Sequence, residues 1–224
     1  REKDAKAASR KPASREGLID SSRALVIVQV SFQEAFMSER DENSPVPDEK
    51  ETDLLLVAIC GVSALVRVRG RGSFKVAPPL KQFALTAAEQ GCRQFVFDMD
   101  ECIGMDSTFM GVLAGLALRL KPVAGGRVVV INLTSKTLAL LETLGLSRLL
   151  QTHLAGQASE DLRQYLADAV GISLLHGSTS DAKLTLETML MAHEDLVKAA
   201  PENLPKFKNV MTYLSADLKH FEGK

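Results

Sequence analysis

The side chains best placed to do chemistry lie close together: Asp98, Asp100, Asp106 and Ser107, within the run FVFDMDECIGMDSTFMG from Phe95 to Gly111. Two carboxylates two residues apart at the end of an apolar strand make the loop that follows look catalytic. A hydroxyl directly after an aspartate, at the mouth of an apolar helix-like run (Gly111–Leu120), suits a phosphate instead. Unpaired N–H groups and the positive end of the helix dipole stabilise an anion there. Phosphorylation of Ser107 would leave the helix intact. It would add about −1.5 to −2 charges to a surface already holding Asp100, Glu101 and Asp106, repelling an acidic or tightly fitted partner. The plainer role is a helix cap, with Asp106 or Ser107 contributing about 1 kcal/mol.

The elements that must hold these residues can be read from apolar periodicity. Asp53–Ile59 is an apolar run broken by Cys60-Gly61, and Ala64–Arg69 alternates apolar with charged residues, a half-exposed strand paired with the first. Pro78-Pro79 opens a helix carrying Leu80, Phe83, Ala84, Ala87 and Ala88, and Gly91 closes it. Phe95–Met99 is apolar on both faces, as a central strand is. A helix follows Asp106 to about Leu120, stopped by Pro122 and Gly125-Gly126. Arg127–Leu133 is another buried strand. Thr134 or Ser135 caps the next helix, with Leu138, Leu141 and Leu144 on one face. A short element lies near Leu149–Leu154, and an acid-led helix runs from Ser159 to about Val170. This alternation predicts an α/β fold: a mixed, mostly parallel sheet of four to five strands with flanking helices.

Beyond Gly171 the pattern becomes helical. Asp181–Ala199 and Pro205–Phe221 read as an amphipathic hairpin joined through Pro201–Pro205. The second helix carries a stripe of Phe207, Val210, Met211, Leu214, Leu218 and Phe221. That stripe must be buried on the core, on a second copy in a homodimer, or on another partner. Residues 1–50 form a separate polar zone that reads as a disordered or linker extension. Met37 reads as the natural start, with residues 1–36 a tag, a fragment or an upstream extension. The expected division is thus 1–50 extension, 51–170 α/β domain and 171–224 helical extension.

Composition narrows the function classes. A net charge of −1 with 25% charged residues gives no bulk attraction for nucleic acid or an anionic membrane. No apolar run approaches the roughly 20 residues of a membrane-spanning helix. Cys60, Cys92 and Cys102 are too few and too irregularly spaced for a disulfide framework or a zinc site, and fit a reducing cytoplasm as small apolar residues. His153, His176, His193 and His220 share no metal-ligand spacing, so neither a metal nor a cofactor is expected. Gly111 and Gly115, with Ala114, make one side of their helix small, which suits close helix–sheet packing. Arg67, Arg69 and Arg71 read as a solvated edge stripe. Gly70–Gly72 lacks the length and the lysine of a phosphate loop.

Two family resemblances attach to these residues. The Asp98-x-Asp100 strand end resembles the first motif of haloacid-dehalogenase phosphatases, with Val128–Lys136 imitating their second; that resemblance implies Asp98 as nucleophile and Asp100 as general acid around Mg²⁺. The chain departs from that pattern at Glu101-Cys102, where Gly-Thr is usual, and has no late acidic pair to complete a metal site. The ordered set matches another family better. It comprises Gly70, the APPL helix start at Ala77–Leu80, a strand ending Asp98-Met99, an eight-residue step to Asp106-Ser107-Thr108-Phe109-Met110-Gly111, and the GGRVVVINL strand. Over about residues 53–155 this resembles the STAS domain of bacterial anti-sigma factor antagonists. That resemblance implies a cytoplasmic, non-enzymatic regulator of transcription acting through protein–protein contact. It implies phosphorylation at Ser107 by a serine kinase that is also the anti-sigma factor, and partner binding around Asp106, Ser107, Thr108 and Phe109. The family has glycine where this chain has Phe109. The alternative within the family is a non-switching accessory STAS module in a larger assembly.

Overall fold

The computed structural model describes residues 53–167, 169, 171–175 and 181–222. The expected 1–50 extension and the start at Met37 lie outside the described residues. Strands β1 (Leu54–Cys60) and β2 (Ser63–Gly72) form an antiparallel hairpin in which Leu54 faces Arg69 and Cys60 faces Ser63. Its two-residue turn begins with Gly61 at φ 60°, a conformation glycine takes without a Cβ clash. Next come α1 (Ala77–Glu89), β3 (Gln94–Asp98), β4 (Cys102–Met105), α2 (Ser107–Leu120), β5 (Arg127–Leu133) and α3 (Ser135–Thr143). The chain continues through β6 (Gln151–Leu154), α4 (Glu160–Ala167), β7 (Ser173–Leu174), α5 (Ala182–Ala199) and α6 (Leu204–Glu222).

The strand order is β6-β5-β3-β2-β1-β7, with β4 paired to the far end of β2. The sheet is mixed and mostly parallel, as anticipated, but among the described residues it has seven strands rather than four or five. Both additions are short. β4 forms inside the step between Asp98 and Asp106, because β2 runs on to Gly72 and offers an edge there: Gly70 pairs with Cys102 and Gly72 with Met105. β7 adds two residues beside β1, and the Leu175 N–H donates to the Leu55 carbonyl at 2.8 Å.

Side-chain alternation divides the core. Phe95, Phe97, Val128, Val130, Ala64, Val66 and Val68 face α1, α2, α3 and α5. Val96, Val129, Ile131 and Leu65 face the other way, toward Leu162, Tyr165 and Leu166 of α4. β2 lies between β1 and β3, so its arginines do not guard an edge as expected. They reach acids instead: Arg67 holds Asp98 and Arg69 holds Glu101, each at 3.0 Å.

The C-terminal hairpin forms as anticipated but does not stand apart. Ala192 and Leu196 of α5 belong to the same core as the sheet, and Phe207 of α6 packs against it. The stripe on α6 is narrower than expected. Leu214 is buried, and Phe207, Met211 and Leu218 are half-buried at helical spacing. Val210 and, in the last turn of the helix, Phe221 are exposed. Among the described residues no helix is long and apolar enough to cross a membrane.

All three cysteines are free thiols. Burial pushes the Cys92 thiol up to about 11, the nearby Cys60 adding in the same direction. An unfolded thiol ionises near pH 8.5, so the protonated Cys92 favours the folded state fully below that pH, and this contribution is lost as pH rises toward 11. The urea midpoint of the full chain should therefore fall over about pH 8.5–11, and Cys92→Ala should make the fall shallower. Equal slopes in the two proteins would contradict this.

Candidate functional site

The candidate site lies where the parallel strands end and α2 begins. Asp98 closes β3 and is 3% exposed. Arg67 donates to one of its carboxylate oxygens at 3.0 Å, while the Asn132 side chain at 2.8 Å and the Asp100 N–H at 3.2 Å donate to the other. Asn132 takes a positive φ of 57°, a conformation asparagine tolerates better than most residues, at the point where the β5–β6 register shifts. With both oxygens engaged, Asp98 is a clamp joining the middle of β2 to the ends of β3 and β5 and is poorly placed to act as a nucleophile. Among the described residues no group of three or more His, Cys, Asp or Glu side chains comes together as a metal site would require.

Asp106 is the N-cap of α2. One carboxylate oxygen accepts from the Phe109 N–H at 2.9 Å and the other from the Phe74 N–H at 2.7 Å, while its own N–H donates to the Gly72 carbonyl at 2.9 Å. A single residue thus ties the helix start to the segment leading into α1. Phe109 is fully buried, with its ring over Gly72: a Cβ built at Gly72 would stand 2.7 Å from that ring. Thr108 is also buried. Of the four residues expected to meet a partner, Asp106 and Ser107 are partly exposed, whereas Thr108 and Phe109 face inward and support the surface from beneath.

Ser107 opens α2, and its hydroxyl lies 3.0 Å from Nε2 of His193 on α5. The other ring nitrogen, Nδ1, is 2.7 Å from the Met189 carbonyl oxygen. A carbonyl only accepts, so Nδ1 carries the hydrogen in the neutral ring, and Nε2 accepts from the Ser107 O–H. The imidazole is 3% exposed and packs against the Phe207 ring, centroids 4.9 Å apart.

Glycines allow this approach. A methyl at Gly111 would overlap the Ala192 backbone carbonyl, and one at Gly115 would overlap the Asp195 carboxylate. The small side of α2 therefore receives α5 and does not face the sheet as expected. Asn203, fully buried in the turn of the hairpin, donates to the carbonyls of Leu144 and Leu196 at 3.0 and 3.1 Å. Lys206 donates to the Thr143 carbonyl at 2.9 Å. The Thr188 hydroxyl, buried on α5, has no hydrogen-bond partner.

Sequence reasoning set His193 aside with the other histidines for lack of ligand spacing. The available signal was its position four residues after Met189 and three before Leu196, on the inward row of an amphipathic helix, where a lone polar ring needs partners.

The family model described as "Mlab, STAS domain" matches residues 55–152. This chain carries a STAS domain. The match runs from β1 into β6, so the C-terminal hairpin lies outside it. No curated protein is significantly similar in sequence. Among solved structures, the anti-sigma factor antagonist SpoIIAA in its unphosphorylated form is 18% identical, with 52% of this chain and 99% of that one covered and a TM-score of 0.42. The Bacillus cell fate determinant SpoIIAA in its phosphorylated form gives 19% identity, coverage of 51% and 98%, and a TM-score of 0.40. A protein from Thermotoga maritima described as a candidate anti-sigma factor antagonist gives 13%, 49% and 91%, and 0.42.

The double role of the Asp106 carboxylate can be tested. Asp106→Ala should lower the unfolding free energy by about 1–2 kcal/mol, and Asp106→Asn, which still accepts at an N-cap, by less. Equal losses in urea titrations of the two variants would contradict the capping assignment.

Proposed function

We propose that this STAS domain is a non-enzymatic protein–protein regulator whose partner contact is controlled by phosphorylation of Ser107. The observation that carries the reading is the position of Ser107. It is the first residue of α2, directly follows the capping Asp106, and is partly exposed at the positive end of a 14-residue helix. The motif Asp106-Ser107-Thr108 belongs to the ordered set, over about residues 53–155, that resembles anti-sigma factor antagonists. The partner is then an anti-sigma factor acting as a switch-type serine kinase, bound when Ser107 is free and released when it carries phosphate. Such a protein would work in a bacterial cytoplasm and promote transcription by freeing a sigma factor. Asp106 and Ser107 would meet the partner, with Thr108 and Phe109 holding them in place. A homodimer through the C-terminal helices would use the outward-facing Val210, Tyr213 and Phe221, because the inner stripe of α6 already packs within the chain.

One observation favours a second reading, a non-switching accessory module in a larger assembly. The Ser107 hydroxyl is already engaged by a buried histidine from outside the STAS match. The two readings separate by incubating the full chain with ATP and a switch-type serine kinase, followed by peptide mass mapping and binding measurements. The switch predicts one phosphate on Ser107, absent from Ser107→Ala. It also predicts that Ser107→Asp binds the kinase about tenfold or more weakly, a difference of about 1.4 kcal/mol. No phosphate on Ser107, together with equal binding by the Ala and Asp variants, would establish the accessory module instead.

A further inference from the structure

We infer that the α5–α6 hairpin is a cis-acting cover over the inner side of Ser107, latched by the His193–Ser107 hydrogen bond, that the partly exposed outer side stays open to the kinase while the hairpin is docked, and that phosphate on Ser107 releases it. The inference deepens the phosphoswitch reading and rests on it for the modification. The hairpin itself lies outside the STAS match.

Along the hydrogen bond there is no room for a phosphate. The Ser107 oxygen stands 3.0 Å from Nε2, and a phosphoryl group placed along that line would occupy the position of the ring. The ring cannot simply turn aside. Nδ1 is tied to the Met189 carbonyl, Phe207 packs against it, and the α5 backbone beneath it is already in contact with α2 at Gly111. The new charges would also sit beside the Asp106 carboxylate at the cap, which opposes a further anion. In the modifying step the Ser107 oxygen bonds to the γ-phosphorus of ATP and the bond from that phosphorus to the ADP oxygen breaks. The hydroxyl proton passes to the kinase's base rather than staying directed at Nε2.

The docked hairpin carries features that weaken it. The Thr188 hydroxyl is buried without a partner. Lys81 of α1 lies under α5 with its ammonium 2.8 Å from the Met191 sulfur, and burial lowers its pKa against the pull of Glu187 and Asp195. Both costs disappear when α5 leaves.

The test needs no kinase. Phosphoserine is encoded at position 107 of the full chain, and amide hydrogen exchange is followed by mass spectrometry. Exchange in α5 and α6 should rise about tenfold or more over the unmodified protein, while β3 and β5 stay protected. Gly111→Ala should reproduce the release without phosphate, because the obstacle there is the Ala192 backbone. Gly115→Ala should leave the hairpin docked, because there the obstacle is the tip of the Asp195 side chain. Unchanged protection of α5 and α6 in the phosphoserine protein would overturn the inference, including the case in which a protonated His193 grips the phosphate. So would unchanged protection in Gly111→Ala. Loss of β3 and β5 protection along with the hairpin would also overturn it, since the hairpin would then be part of one folding unit and not a cover. A Ser107 that no kinase modifies would sink the phosphoswitch while leaving these exchange results intact, so the two failures are distinguishable.

Discussion

The backbone of α5 meets the backbone of α2 at Gly111, and the geometry of the site depends on that contact. With the Ala192 carbonyl standing where a side chain would otherwise be, the next residue, His193, comes down onto Ser107 at hydrogen-bonding distance. Asn203 then secures the turn of the hairpin to the end of α3 and the end of α5 together. A larger residue at position 111 would lift α5, and with it His193 and the packing of Phe207. Glycine in a helix interior costs about 1 kcal/mol relative to alanine. Here it permits an approach that no other residue allows.

Below that contact the acidic segment is largely neutralised. Arg67 and Asn132 absorb the Asp98 carboxylate, Arg69 pairs with Glu101, and the two oxygens of Asp106 cap backbone N–H groups. Each of these acids joins strand or helix ends. Ser107 is different: its hydroxyl is partly exposed and directed at another segment of the chain. The Ser107 hydroxyl is thus the polar group of this segment that meets α5.

Much of the fold was legible because it follows from period and punctuation. The apolar runs at Phe95–Met99 and Arg127–Leu133 became parallel central strands with side chains on two core faces. Pro78-Pro79 and Thr134 marked helix starts. What could not be read depended on tertiary pairing. β4 and β7 exist only because β2 and β1 offer them edges, and neither has a periodicity long enough to announce itself. The arginines of β2 looked like edge residues until the strand order placed them inside the sheet. Gly111 and Gly115 signalled close packing, but a small face does not name its neighbour. Phe109, the departure from the family pattern, lies inside against Gly72.

The His193–Ser107 contact is most directly tested by NMR of the full chain labelled with ¹⁵N-histidine. The account predicts that the His193 ring is held as the Nδ1–H tautomer when neutral, that NOEs connect its carbon-bound protons to the Ser107 β-protons, and that Ser107→Ala shifts the Nε2 resonance. A ring with mixed tautomers and no NOE to Ser107 would show that α5 does not cover the serine, and would contradict the account at its centre.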